Sequence, residues 1–399
     1  MMPEQGANDM HTLCPICSSP GISVFLEVEN VPVHCNILWP AESEALKAPL
    51  GDIRLGFCTN CGHIFNRAFD PSLMKYDGEY ENSLHFSPRF QSYAESLAAR
   101  LISRYSIYEK EIIEIGCGNG DFLTLLCRLG RNHGIGFDPS NAAGKIKDTN
   151  DDRIEFIHAY YSQEYAGRYR ADLICCRHVL EHILSPRDFL ITIRTAASDT
   201  ATVFFEVPNV AFILQDLGIW DIIYEHCSYF SSNSLAFLFR SCGFDILSLG
   251  EGMEGQFLCI EALPDGATNS GEHELTGNLK DLMNDVRAYA HRYRQKVERW
   301  DRYLKDISNI GRKAVIWGGG SKSVTFLNIL NARNRIEFVV DINPRKQGKY
   351  MPGTGQKIVS PDFLQEYRPD VVIVMNPVYT DEIKEMLRSI GINPHVIPV

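Results

Sequence analysis

The segment Glu114–Asp121 has the residues best suited to chemistry, with three glycines at every second position and a carboxylate at each end. Apolar residues precede it and a helical pattern follows, which predicts a strand, a turn and a helix. Glycine lacks a Cβ and tolerates positive φ, so the backbone can approach a ligand closely. The spacing G-x-G-x-G differs from the dinucleotide pattern, and Glu114 would repel a pyrophosphate but suits a cation. The loop therefore predicts a site for S-adenosylmethionine rather than NAD, with contacts from Glu114, Gly116, Cys117 and Gly118.

Residues that follow the next predicted strands extend this donor site. Asp138 ends a strand about 20 residues after the glycines, where a carboxylate accepts ribose hydroxyls in nucleotide-binding folds. The alternative is that Asp138 caps the following helix. We assign Asp138 and its neighbour Pro139 to the donor. Tyr161 follows the third strand, where it either stacks on adenine or is an ordinary core tyrosine.

The motif His178-Val179-Leu180-Glu181-His182 matches the H-x-x-E-H pattern of some zinc peptidases. Here it directly follows the predicted strand 171–176 of the nucleotide-binding sheet. Residues in that place line the methyl-donor pocket, so we assign His178 to donor binding. A peptidase would need a third ligand and a different fold.

Four cysteines form two C-x-x-C pairs near the amino end, Cys14 with Cys17 and Cys58 with Cys61. Two such pairs hold one tetrahedral zinc ion, and four thiolates leave no open position for catalysis. The alternative is two unrelated pairs of buried thiols. The spacing predicts a structural zinc site.

Two later segments have residues suited to chemistry. The polar and aromatic stretch 220–231 contains Tyr224, Glu225 and His226, which either supply a general base beside the donor or begin a surface helix. The run Gly318-Gly319-Gly320-Ser321-Lys322 does not match G-x-G-x-x-G. Its predicted helix N-terminus and Lys322 either hold phosphates of a substrate or belong to a Rossmann-like scaffold without a ligand.

The elements that position these residues follow a βαβ order. Strand-like runs alternate with helical runs between about residues 112 and 263, which predicts a mostly parallel sheet. Apolar residues at helical spacing over 270–310 predict a long amphipathic connector, and a second αβ pattern follows it. We therefore divide the chain into a zinc-binding module, a donor-binding domain, a helical connector and a C-terminal Rossmann-like domain. Their predicted ranges are 1–75, 76–265, 266–310 and 311–399.

Bulk composition excludes several classes of protein. The 399 residues are 45% hydrophobic and 22% charged with a net charge of −11, so a general nucleic-acid binder is not expected. Neither a membrane span nor a signal peptide is predicted. Twelve cysteines without an export signal suggest metal ligands and buried thiols. We expect a cytoplasmic protein that is a monomer or a dimer.

The order of these motifs resembles one known family over nearly the whole chain, the S-adenosylmethionine-dependent sugar C-methyltransferases of deoxysugar biosynthesis. The resemblance implies an α/β fold with a class I methyltransferase (Rossmann-like) core, a small N-terminal zinc-binding module and a second C-terminal Rossmann-like domain. The matching segments are the two C-x-x-C pairs, 114–120, 136–140, 205–208, 225–226, 230–231, 318–325, 341, 346–347 and 352–353.

The resemblance also implies roles for the acceptor site. In that family the histidine of a Glu-His pair is the proposed base, which maps onto His226, with Glu225 orienting the imidazole. The ketone acidifies a neighbouring C–H, the base removes its proton, and the enolate carbon attacks the sulfonium methyl. The family tyrosine lies three residues before the histidine, whereas Tyr224 lies two before it. The implied acceptor is a nucleotide sugar between the central and C-terminal domains, its phosphates facing Lys322, Arg345 or Lys346.

Two rival functions remain open on the sequence. One is an O- or N-methyltransferase that uses the same donor site on another small molecule, for which a general base matters less. The other is a zinc-bearing binding module with a vestigial donor site, against which the intact Glu114, Gly116, Gly118 and Asp138 argue.

Overall fold

The computed structural model describes residues 12–74, 80–140, 151–264 and 279–399. These residues build three sheets of four, seven and five strands. The first sheet belongs mainly to the amino-terminal part, the second to the central part and the third to the carboxyl-terminal part. The predicted α/β architecture with two Rossmann-like units is confirmed.

The amino-terminal sheet is antiparallel, and the cysteine pairs lie at one end of its strands. Strand β2 pairs with β1 and β3, and the second C-x-x-C pair lies in the turn between β2 and β3. Leu26, Ile53, Leu55 and Phe57 face a buried core that this sheet shares with the C-terminal half of the chain. The elements are β1 (Ile22–Pro32), α1 (Glu42–Ala45), β2 (Leu50–Cys58) and β3 (Ile64–Asn66).

The central sheet has the strand order β10-β11-β8-β7-β4-β5-β6, parallel except at β11. Its strands are β4 (Glu111–Ile115), β5 (His133–Phe137), β6 (Ile154–Ile157), β7 (Ala171–Arg177), β8 (Ala197–Pro208), β10 (Phe244–Gly252) and β11 (Phe257–Pro264). Between β8 and β10, the short strand β9 (Ser228–Tyr229) leaves this sheet and pairs with β3. The helices of the central part are α2 (Pro88–Tyr105), α3 (Asp121–Gly130), α4 (Gln163–Ala166), α5 (Pro186–Ala196), α6 (Val210–Gln215) and α7 (Ser232–Ser241).

Strand β10 was not predicted. The strand-like runs of the sequence in this region are 112–116, 133–138, 154–157, 171–176, 202–207 and 257–262. Strand β10 lies at the edge of the sheet and only part of it is buried, so its apolar residues do not form a continuous run. Edge strands of this kind give a weak pattern because one face and one side meet water.

A single long helix, α8 (Leu279–Asn309), connects the central and C-terminal parts. It buries one stripe of side chains that includes Val286, Tyr289 and Trp300, and this confirms the predicted amphipathic helix. The beginning of the predicted connector, residues 266–278, lies outside the described residues. Within the described ranges, no helix is both long and apolar enough to cross a membrane.

The C-terminal sheet is parallel throughout, in the order β14-β13-β12-β15-β16. Strands β12 and β15 are fully buried, as expected for a sheet covered on both faces. The strands are β12 (Ala314–Trp317), β13 (Phe338–Val340), β14 (Lys357–Val359), β15 (Val371–Val374) and β16 (His395–Pro398). The helices are α9 (Ser321–Ile329), α10 (Leu364–Tyr367) and α11 (Thr380–Ser389).

Candidate active site

The glycine loop between β4 and α3 depends on residues without a side chain. Gly116, Gly118 and Gly120 have φ of +72°, +54° and +77°. A Cβ on Gly116 would lie 2.1 Å from Val179, and one on Gly120 would lie 2.5 Å from the Phe156 ring. A Cβ on Gly118 would meet nothing within 4 Å, since this residue borders open space. The loop is therefore packed tightly on two sides and open on the third.

That open side belongs to a cavity of about 500 Å³ at the carboxyl end of the central sheet. Ligands in open α/β sheets bind at this end, where loops after neighbouring strands converge. All eight residues that the sequence assigns to the donor line this cavity: Glu114, Gly116, Cys117, Gly118, Asp138, Pro139, Tyr161 and His178.

The Asp138 carboxylate is hydrogen-bonded to the glycine loop. One carboxylate oxygen accepts the Gly118 N–H at 2.9 Å, and the other accepts the Ser140 N–H at 2.9 Å and the Ser140 hydroxyl. These bonds fix the carboxylate at the end of β5 and in the cavity wall. Asp138 thus organises this turn while it lines the cavity, and the helix that it was alternatively expected to cap would lie in 141–150, outside the described residues.

Glu114 presents an unsatisfied carboxylate to the same cavity. The residue is only 3% exposed, and its Oε2 has no hydrogen-bond partner. Burial raises the pKa of Glu114 to about 8, although the Arg177 guanidinium opposes this shift. A buried carboxylate oxygen without a donor fits a ligand that brings a positive charge or a hydroxyl. The Tyr161 hydroxyl is likewise buried without a partner.

The far wall of the cavity contains a buried ionic network at the ends of β7 and β8. Two N–H groups of Arg177 donate to Glu206 Oε1 at 2.9 and 3.0 Å, and His178 Nε2 lies 3.0 Å from the same atom. Tyr93 donates its hydroxyl hydrogen to the other oxygen of Glu206. Burial alone would lower the pKa of His178, but its interactions with Glu181 and Glu206 outweigh burial and raise the pKa to about 9. His178 is thus an imidazolium. It neutralises the buried carboxylates and also lines the cavity.

Two of the residues predicted for catalysis, Tyr224 and Glu225, form hydrogen bonds with the amino-terminal part of the chain. The Tyr224 hydroxyl accepts the Asp70 N–H at 2.8 Å and donates to the Asp70 carbonyl at 3.4 Å, so it serves the amino-terminal part. Glu225 is fully buried and accepts the Cys35 N–H at 2.7 Å and the Tyr80 hydroxyl at 3.1 Å. Both side chains therefore have hydrogen-bond partners in the amino-terminal part of the chain, and their catalytic roles stay predictions. Most of this segment is core, in contrast to its polar composition.

His226 instead lies in a cluster with His182 and Glu181. The three residues each offer a ligand atom within 4.8 Å of the others, and the two imidazole rings lie 5.0 Å apart. His182 Nδ1 donates to the Glu225 carbonyl at 2.9 Å, because a carbonyl oxygen can only accept. Among the described residues of the cavity wall, His182 is present and His226 is not. Burial and then the neighbouring His182 lower the pKa of His226 to about 3, so its ring is neutral at pH 7.

Two residues of this cluster escaped the sequence analysis. His182 and Glu181 occur in the H-x-x-E-H motif, which the analysis used only to assign His178. Residues 180–182 form a single 3-10 turn and not the long helix of a peptidase site. The motif itself was the available signal, but its partner His226 comes from a segment more than 40 residues away.

The predicted phosphate-binding cations of the C-terminal domain all have carboxylate partners. Lys322 pairs with Asp221, and Arg345 lies 3.3 Å from Glu81. Lys346 is buried, lies 3.8 Å from Asp341 and donates to the Gly319 carbonyl at 3.2 Å.

Of these three cations, Lys322 and Lys346 line the cavity. The described cavity wall does not include Arg345. A reciprocal amide pair, Gln256 with Asn376 at 2.9 and 3.0 Å, joins the central domain to the C-terminal domain in the same wall.

The four paired cysteines converge at the amino-terminal sheet. Sγ of Cys14 lies 3.6 Å from that of Cys61, and Sγ of Cys17 lies 3.5 Å from that of Cys58. None of the twelve cysteines, all of which lie among the described residues, forms a disulfide. Sulfur atoms around a tetrahedral ion with Zn–S bonds of about 2.3 Å lie roughly 3.8 Å apart. The donor set and spacing therefore fit zinc, with one cysteine of each knuckle beside one of the other.

Comparison with known proteins gives matches along the chain. The family model described as "Methyltransferase domain" matches residues 90–249, and "C-methyltransferase C-terminal domain" matches residues 269–393. The chain is 27% identical to the C-methyltransferase NovU of Streptomyces niveus over 403 residues, covering 95% of this chain and 93% of the relative.

Solved structures also resemble the chain. One is magnesium protoporphyrin IX methyltransferase from Synechocystis with bound SAH, at 16% identity and a TM-score of 0.36, covering 44% of this chain and 84% of that one. Another is a SAM dependent methyltransferase from Aquifex aeolicus, at 12% identity and a TM-score of 0.34, covering 42% and 89%.

The fold, the donor cavity and the first of the two family models define an S-adenosylmethionine-dependent methyltransferase. The second family model and the full-length relative narrow this class. Together, the two family models and this relative support an S-adenosylmethionine-dependent C-methyltransferase that acts on a small molecule.

Proposed function

We propose that this enzyme methylates a carbon atom of a nucleotide-linked keto-deoxysugar. The supporting observation is the composition of one cavity, lined by donor residues such as Glu114 on one side and by Lys322 and Lys346 of the C-terminal domain on the other. A sugar nucleotide carries a diphosphate and a polar ring, so it needs an extended site with cationic groups at one end. A small neutral acceptor would need no such cations.

His226 is the proposed general base. Its neutral ring keeps a lone pair for the acidic C–H beside the ketone, and Glu181 would stabilise the imidazolium that forms. Removal of this proton makes an enolate, whose carbon attacks the electrophilic methyl that S-adenosylmethionine supplies. His182 lines the cavity, and its ring centre lies 5.0 Å from that of His226.

The acceptor phosphates are proposed to bind at the N-terminus of α9. The turn Gly318–Gly320 leads into this helix, where backbone N–H groups and Lys322 can face an anion. Lys322 would exchange its partner Asp221 for a phosphate, so Asp221 holds the lysine in place before the substrate arrives. Lys346 contributes charge from beneath the turn, and Arg345 acts only through its contact with Glu81.

The remaining parts have supporting roles in this proposal. Cys14, Cys17, Cys58 and Cys61 hold a structural zinc ion that fixes the amino-terminal sheet. Glu225 and Tyr80 then connect that sheet to the acceptor side of the cavity. The ranges 1–75, 76–265, 266–310 and 311–399 are proposed as the domains. Cysteines without disulfide bonds are in keeping with a cytoplasmic enzyme.

Exchange of substrate hydrogen with deuterated water tests the proposed base. The wild-type enzyme, given a keto sugar nucleotide and S-adenosylhomocysteine, should exchange the proton next to the ketone. His226→Asn should abolish exchange and methylation, whereas His182→Asn should retain slow exchange, since it removes a neighbour and not the base. His395→Asn, at an exposed position at the start of β16, is the matched control. Exchange at the wild-type rate in His226→Asn would refute the assignment.

A panel of dTDP-, GDP- and CDP-linked keto sugars tests the acceptor class. Methylation detected as a mass increase with one of these sugars and not with the free sugar would support the proposal. The rival activity, methylation of oxygen or nitrogen, predicts a product without new carbon–carbon bonds and no loss of activity in His226→Asn.

A further inference from the structure

Three side chains beside the donor cavity have the chemistry of a metal site. Glu181 comes from the 3-10 turn after β7, His182 from the same turn, and His226 from the segment before β9. One ligand atom of each lies within 4.8 Å of the others. Two imidazoles and a carboxylate are a donor set that binds borderline divalent ions such as Zn²⁺, Co²⁺ and Ni²⁺.

The polar atoms of this cluster are incompletely satisfied. Glu181 is 1% exposed, and its Oε2 has no hydrogen-bond partner, while its Oε1 lies 3.8 Å from His178 Nδ1. His226 Nδ1 is also buried without a partner. Buried polar atoms are nearly always paired in native proteins, so two orphaned atoms in one cluster indicate a missing ligand.

The surroundings orient these groups as metal ligands are usually oriented. His182 Nδ1 donates to the Glu225 carbonyl at 2.9 Å, which leaves the lone pair of this ring on Nε2. Glu225 is itself fixed by Cys35 and Tyr80, so the acceptor carbonyl is well anchored. Lys322 acts electrostatically on His226, but its charge is balanced by Asp221.

We propose that Glu181, His182 and His226 form a second transition-metal site, distinct from the four cysteines. Three protein ligands leave at least one position open, and His182 sets this site in the cavity wall. The further consequence rests on the proposed function. An ion here takes the lone pair that His226 needs for proton removal, so its binding inhibits methylation reversibly.

Cobalt titration of the zinc-loaded enzyme tests the site without relying on activity. One equivalent of Co²⁺ should give visible d–d absorption without the thiolate-to-cobalt charge-transfer band that a cysteine site produces. Glu181→Gln and His182→Asn should each weaken cobalt binding by about tenfold or more. His395→Asn should bind cobalt as the wild type does. Thiolate bands only, or unchanged affinity in both cluster variants, would overturn the proposal.

Thermal unfolding and activity complete the test. Zn²⁺ added to the zinc-loaded wild type should raise its melting temperature, whereas Glu181→Gln, if folded by circular dichroism, should show no increase. Zn²⁺ should also displace the bound Co²⁺. The Zn²⁺ concentration that completes this displacement should inhibit methylation by the wild type. If the wild type binds cobalt and His226→Asn still exchanges the substrate hydrogen, only the proposed base is refuted. If His226→Asn loses exchange and the wild type binds no cobalt, only the metal site is refuted.

Discussion

Replacement of Glu114 by Gln should stabilise the enzyme without donor and weaken donor binding at the same time. The buried carboxyl has its pKa raised to about 8 from a reference value of 4.5, with burial as the main cause. An acid with a raised pKa contributes full stability below 4.5, where it is neutral in both states. This contribution is lost as pH rises to about 8, because the unfolded chain ionises first.

The size of this effect follows from the pKa shift. The difference between a pKa of 4.5 and one of about 8, at about 1.36 kcal/mol for each tenfold change, sets a ceiling of about 5 kcal/mol, which is approached at pH 8. Gln is neutral at every pH and can still accept the Leu123 N–H that Glu114 contacts. We therefore expect the variant without donor to gain up to this amount at pH 8 and almost nothing at pH 4.5. The loss of a charged partner for the donor should raise its Kd roughly 10- to 100-fold.

Calorimetry with S-adenosylhomocysteine in buffers of different ionisation enthalpy measures the linked proton. At pH 7 about nine-tenths of Glu114 is protonated at a pKa of 8, so binding to the wild type should release close to one proton. Glu114→Gln should release none, and Glu111→Gln, exposed at the start of the same strand, should behave as the wild type. Equal proton release in both variants, or a destabilised Glu114→Gln at pH 8, would refute this reasoning.

Three further results are expected. Gly116→Ala should lose donor binding, and it should lose more stability than Gly311→Ala. Both residues have φ near +71°, but only Gly116 would place a Cβ against Val179. Urea unfolding of the two variants measures the difference in stability. Cys58→Ser should lower zinc content and the melting temperature together, and a variant that retains stoichiometric zinc by atomic absorption would contradict the four-cysteine site. Glu206→Gln should cost about 3–5 kcal/mol of unfolding free energy, because it leaves a buried guanidinium and imidazolium without their carboxylate, and wild-type stability in that variant would count against the network.

The sequence by itself determined the parts whose physics is local. The glycine loop after β4 requires positive φ at fixed positions, and Asp138 follows the next strand at a fixed distance, so both could be predicted from spacing. The paired cysteines and the amphipathic helix α8 are equally local patterns. The edge strand β10 was missed, because its short pattern is only partly buried.

Only the tertiary structure decided which side chains meet across the acceptor side of the cavity. Glu225 is adjacent to His226 in the chain, yet it accepts a hydrogen bond from Cys35, 190 residues away. Glu181 and His182 meet His226 because β9 leaves the central sheet to pair with β3 and brings its preceding segment to the end of β7. Neighbours in sequence share a backbone path, but their side chains point to partners that packing selects. The glycine loop of the donor site follows one strand and its turn, whereas the proposed acceptor site is assembled from three separate parts of the chain.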